Sequence, residues 1–235
     1  MRLPIEGTDN QRAVFHQTLR ELAGRNISFG VGGSLAIAYY LSRVSPIRDL
    51  DVYVTPENSA LAIDAVTAIG LADYYDQKPY QRHWIYRASR GDAIVDVIWA
   101  MANARTEVDP DWLCRAHPAA IDDENARIIP IEELIWSKLY VLQFDRCDWP
   151  EIINLVLAVP ERIDWDRLML RLGPDTPLLI AVLTIALWID PEIETTFSQA
   201  LRDRLRIDPQ PKPDRNTRAN LLDMRPWLSQ PEGNG

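Results

Sequence analysis

The sequence predicts an α+β fold: a mixed sheet with flanking helices over residues 1–130, a helical unit over 131–207 and a flexible tail over 208–235. Three observations predict it. Short β-prone runs alternate with helical periodicity up to residue 130. From Ile131 onward no strand pattern is convincing, and helical segments follow one another between prolines and glycines. The last stretch is rich in proline and polar side chains, a composition that does not build a core.

The elements follow in order. Residues 8–24 carry Phe15, Leu19 and Leu22 at helical spacing and predict the first helix. Residues 27–31 are a β-prone run ending in Gly32 and Gly33, and the apolar stretch 35–41 begins directly after Ser34, which reads as strand, tight turn and helix. A second strand is expected at 49–54. Residues 56–71 fit a helix with Ala62, Ala65, Val66 and Ile69 on its apolar side, leading to strands at 83–88 and 93–99. Residues 103–123, polar and proline-containing, are expected to form a loop over or near the site, followed by a short edge strand at 127–130. Helices are then expected at 132–144, 149–158, 165–172, 178–188 and 192–205, separated by Pro160, Gly173-Pro174 and Pro191.

Two of these elements carry chemistry. A strand that ends in two glycines and runs into a helix brings backbone N–H groups close to a ligand, at a helix end whose unpaired donors suit a phosphate. Ser34 is placed to cap that helix, to touch the phosphate, or both. On the next strand, side chains alternate, so Asp49 and Asp51 share one face while Leu50 and Val52 share the other. Two carboxylates at that spacing repel unless a cation lies between them, and Mg²⁺ takes a few carboxylate oxygens while leaving positions for water and phosphate. Asp96 sits between Val95 and Val97 in a strand that reads as buried, where an unpaired charge is costly, so it is the expected third ligand.

Val31-Gly32-Gly33-Ser34 followed by Asp49-Leu50-Asp51-Val52 resembles the signature of the nucleotidyltransferase superfamily, which includes DNA polymerase beta and the aminoglycoside nucleotidyltransferases. The resemblance implies a polymerase-beta-like fold. It also implies two Mg²⁺ ions on Asp49, Asp51 and Asp96, ATP or another nucleoside triphosphate held at Gly32, Gly33 and Ser34, and Asp96 as a possible acceptor of the nucleophile's proton. Residues 130–139 are similar to a helix of uncharacterised bacterial nucleotidyltransferases and abortive-infection type toxins, which implies that Lys138 reaches the nucleotide phosphates. The Asp-x-x-Asp segment that follows in such proteins is matched less closely by Asp148 and Glu151, which are left outside the expected site. Relatives place an arginine and a Ser or Thr just before the first aspartate. Here Arg43 and Ser45 stand farther upstream and Arg48 adjoins Asp49, so Arg43 is the expected nucleotide-binding residue and Arg48 its alternative.

Composition narrows the reading. A chain of 235 residues that is 47% hydrophobic and 25% charged can bury one large or two small cores. A net charge of −9 argues against nonspecific nucleic-acid binding and favours a small-molecule acceptor, because nonspecific affinity comes from neutralised phosphates. Cys114 and Cys147 have no metal-ligand spacing and read as free thiols, and His16, His83 and His117 are too scattered for a histidine site. No Walker sequence or Gly-x-Ser-x-Gly elbow occurs. The apolar run 177–189 is shorter than the roughly 20 residues a bilayer span needs, and residues near Glu6 and Asp9 lack a signal-like apolar core, so a cytoplasmic protein without a membrane partner is expected. The reading is a Mg²⁺-dependent nucleotidyltransferase; the alternatives are an inactive nucleotide-binding regulatory module and a toxin-like transferase acting on RNA or protein.

Overall fold

The computed structural model describes residues 2–44, 46–103, 106–143 and 146–205; Ser45 and the expected tail at 208–235 lie outside the described residues. The chain divides into two compact units, Met1–Pro130 and Ile131–Gly235.

The first unit is an eight-stranded mixed sheet with helices. Its elements in chain order are β1 (Arg2–Leu3), α1 (Asp9–Gly24), β2 (Gly30–Val31), α2 (Gly33–Tyr40), β3 (Asp49–Tyr53), α3 (Ser59–Ala68), β4 (Ala72–Asp73), β5 (Ile85–Arg90), β6 (Ala93–Ile98), α4 (Pro110–Cys114), β7 (His117–Ile121) and β8 (Glu124–Ile128). The strand order is β1-β7-β8-β2-β3-β6-β5-β4. Thr8 starts α1 through a capping box with Gln11, and the helix buries Val14, Phe15, Leu19 and Leu22. Both α1 and α3 pack on β6. Leu50, Val52, Val95 and Val97 are fully buried, so one face of the central strands is core and the opposite face is left for polar groups.

Four expectations are corrected here. The strand expected at 27–31 shrinks to Gly30–Val31, because Asn26, at φ +55°, and Ile27 turn their N–H groups back to Ala23 and Leu22 and close the end of α1. Residues 103–123 are not a plain loop. Asp109 caps α4 by accepting from the N–H groups of Asp111 and Trp112, Trp112 is buried, and β7 then turns at Asp122 into β8. The edge strand expected at 127–130 is instead β8, an interior strand between β7 and β2. The helix expected at 56–71 is a 3-10 turn, Pro56–Asn58, followed by the shorter α3.

The second unit is helical: α5 (Ile131–Leu139), α6 (Trp149–Ala158), α7 (Trp165–Leu172), α8 (Thr176–Ile189) and α9 (Gln199–Leu205). Helix α5 ends earlier than expected, the chain doubling back as Asp148 N–H donates to the Val141 carbonyl. Buried Glu133 on α5 receives Arg167 and Arg171 from α7, and Glu132 accepts the Asp164 N–H at 2.7 Å. The 25-residue stretch Trp165–Ile189 is long and apolar enough to cross a membrane by composition alone. Gly173, at φ +51°, and Pro174 break it into α7 and α8, and Arg167 and Arg171 face Glu133 from within it.

Candidate active site

The acidic residues come together because β3 and β6 run parallel with Asp51 opposite Asp96 and Asp49 opposite Ile94. Period-two alternation then points all three carboxylates to one face. One oxygen from each of Asp49, Asp51 and Asp96 lies within 4.8 Å of the others, and among the described residues this is the one grouping of three side chains with metal-ligand chemistry. Asp96 is 2% exposed and Asp49 32%.

Arg87, on β5, stands opposite Asp96 across the antiparallel pairing. Its Nε donates to Asp96 Oδ1 at 2.7 Å, a terminal nitrogen donates to Asp96 Oδ2, and that same group lies 3.6 Å from Asp49. The hydrogen bond to Asp96 raises the Arg87 pKa above its ordinary value against the pull of burial, so the guanidinium stays charged. Sequence reasoning missed this residue. Three carboxylates that offer hard oxygen donors this close together suit a divalent cation.

The glycine turn adjoins the acids. Gly33 opens α2 at φ +55°, and a Cβ there would fall 1.7 Å from Asp51 Oδ2. A Cβ on Gly32 would fall 2.2 Å from the Tyr53 ring. Both positions therefore require glycine. Gly32 is the N-cap and donates its N–H to the Asp51 carbonyl at 3.0 Å. Ser34 is not the cap; it is the second helical residue, half-buried, beside first-turn N–H groups that lack acceptors within the helix.

Arg43 and Lys138 each have a local setting. Arg43 follows the end of α2 opposite to Gly33, its N–H bonded to the Ala38 carbonyl. Lys138 lies on α5 in the second unit. It is 11% exposed and donates to Glu151 at 2.5 Å and Asp148 at 3.2 Å, while Arg146 also holds Asp148 at 3.1 Å. Burial lowers the Lys138 pKa, but Glu151 and Asp148 more than offset it and leave it raised. The segment set aside from the sequence is thus where Lys138 is anchored.

No family model and no curated protein matches the chain. Among solved structures it is similar to ANT(2″)-Ia in complex with adenylyl-2″-tobramycin, at 22% identity over 56% of this chain and 75% of that one, TM-score 0.42. It is similar also to the lincosamide antibiotic adenylyltransferase LnuA, lincomycin-bound, at 12% identity over 59% and 88%, TM-score 0.42. JHP933 from Helicobacter pylori aligns at 14% identity over 92% and 96%, TM-score 0.41. Likenesses this distant carry no argument about chemistry. The geometry itself establishes an α+β sheet on which three carboxylates, an arginine and a glycine-built helix start converge.

Proposed function

We propose that this chain is a Mg²⁺-dependent nucleotidyltransferase that moves a nucleoside monophosphate, AMP from ATP in the simplest case, to an acceptor hydroxyl or phosphate and releases pyrophosphate. The observation that carries the reading is the convergence of Asp49, Asp51 and Asp96 within 4.8 Å, beside a helix start that only glycine can form. Bound as two ions, Mg²⁺ supplies charge neutralisation at the α-phosphate and the pyrophosphate. Asp49 and Asp51 are the residues to hold it, with Asp96 completing the donor set. The N–H groups at Gly33 and Ser34 receive phosphate oxygens.

In the transfer, an acceptor oxygen bonds to the α-phosphorus and the bond to the pyrophosphate oxygen breaks. Half-exposed Asp49 is better placed to take the acceptor's proton than Asp96, both of whose oxygens already receive Arg87. The net charge of −9 favours a small acceptor over nonspecific nucleic-acid binding. Asp49→Asn should abolish pyrophosphate release while leaving the circular dichroism spectrum and nucleotide-free stability near wild type. Full turnover in that variant sinks the reading.

One observation favours a second reading, a nucleotide-binding module without turnover: Arg87 already supplies a permanent cation to Asp96 and approaches Asp49. In that case ATP binds with no dependence on Mg²⁺ and no acceptor yields pyrophosphate.

A further inference from the structure

The connection between β4 and β5, residues 74–84, carries Tyr74, Tyr75, Tyr80 and Trp84 interleaved with Asp76, Lys78, Arg82 and His83. It is an ordered loop. Tyr74 N–H donates to the Arg87 carbonyl at 2.9 Å, and the N–H groups of Gln77 and Lys78 both donate to the Tyr74 carbonyl at 3.0 Å. Asp73 gathers the loop's polar groups, accepting from Tyr75 N–H at 2.9 Å, the Tyr80 hydroxyl at 2.8 Å and the Arg82 guanidinium at 2.7 Å. Burial, with the hydrogen bond to Asp73, pushes the Tyr80 hydroxyl up to about 12, so it remains a donor at physiological pH.

These contacts present one ring. The Arg82 guanidinium lies 4.1 Å from the Tyr75 ring centroid, and Tyr80 meets the same ring edge-on at 5.6 Å. Tyr75 nevertheless stays 37% exposed and the Arg82 side chain 56%. The loop reaches the acid-bearing face of the sheet at Gln77, whereas Asp73, opposite Ala88, belongs to the other face. Gln77 Nε2 donates to Ser89 Oγ at 3.3 Å, and the Tyr80 hydroxyl lies 3.3 Å from the Arg87 carbonyl. Strand register sets Ser89 and Arg87 on the sheet face that carries Asp49, Asp51 and Asp96.

An exposed ring backed by a guanidinium matches the way proteins stack a base. We propose that Tyr75, backed by Arg82, is a nucleobase-stacking site at the β4 edge of the sheet that carries the acid cluster, serving either the base of the nucleotide donor or the end base of a single-stranded acceptor. The assignment rests on the nucleotidyl-transfer reading for its choice of base-bearing substrates.

The test is calorimetry in Mg²⁺ on the full chain, wild type, Tyr75→Ala, Tyr75→Phe and Arg82→Ala, with three probes: inorganic tripolyphosphate, ATP and a short single-stranded oligoadenylate. Tyr75→Ala should weaken ATP or the oligoadenylate by about tenfold, Arg82→Ala should weaken the same ligand, Tyr75→Phe should restore it, and tripolyphosphate binding should not change. A loss confined to ATP assigns the donor base, and one confined to the oligoadenylate assigns the acceptor base. Unchanged binding of both by Tyr75→Ala overturns the proposal. So does a wild type that binds tripolyphosphate but neither base-bearing ligand, which leaves the nucleotidyl-transfer reading intact. A wild type that binds none of the three overturns both.

Discussion

At Gly33 the candidate site has the least tolerance for change. A methyl group there meets Asp51 Oδ2 at 1.7 Å, and the residue's φ of +55° costs any other L-residue roughly 1–2 kcal/mol. Gly33→Ala should keep the fold by circular dichroism, lower the melting temperature and lose Mg²⁺-dependent ATP binding; wild-type affinity would remove the glycine turn from the site. Arg87 makes a sharper test, because Asp96 is 2% exposed and its two oxygens both receive that guanidinium. Arg87→Ala leaves a buried carboxylate without its cation and should cost about 3–5 kcal/mol in urea denaturation. Added Mg²⁺ should recover more stability in Arg87→Ala than it adds to the wild type. An equal response in both would mean that the three acids do not bind the ion.

Elements explain why these residues meet. The β5–β6 hairpin turns through Gly91, at φ +62°, and Asp92, so Arg90 pairs with Ala93 and the register runs back to place Arg87 opposite Asp96. That signal was present locally in Arg90-Gly91-Asp92-Ala93, and Arg87 would have been legible from a hairpin reading. In the helical unit, Lys138 on α5 holds Asp148 and Glu151 at the start of α6. Burial works to raise the Asp148 pKa, but the Arg146 hydrogen bond and the charges of Lys138 and Arg146 bring it below 3.8. Its stabilisation is therefore full above pH 3.8 and is lost as pH falls through the depressed folded value. Lys138 has the opposite sign: its contribution is full below pH 10.5 and is lost as pH rises through its raised value. Urea denaturation across pH should show smaller acid and alkaline losses in Lys138→Met with Asp148→Asn than in the wild type; identical profiles would make the pair energetically silent.

At the scale of the whole chain, the acids, Arg87 and the glycine turn all belong to Met1–Pro130, whereas Lys138 belongs to Ile131–Gly235. Hydrogen exchange with Mg²⁺ and ATP should raise amide protection at β3, β6 and the first turn of α2, and leave α8 and α9 unchanged. Protection confined to the helical unit would move the nucleotide site away from the acids. The glycine turn, the shared face of Asp49 and Asp51 and most of the helices were legible in the sequence, because each depends on glycine's freedom, strand alternation or helical periodicity within a few residues. The interior position of β8 was not legible, since β2 and β7 recruit it from distant parts of the chain. By itself the sequence determined which side chains could share a face. Only tertiary pairing decided that Asp96 meets Asp49 and Asp51, that Arg87 holds it, and that Lys138 is tied to Asp148 and Glu151, because strand register and helix packing are set by contacts between residues far apart in the chain.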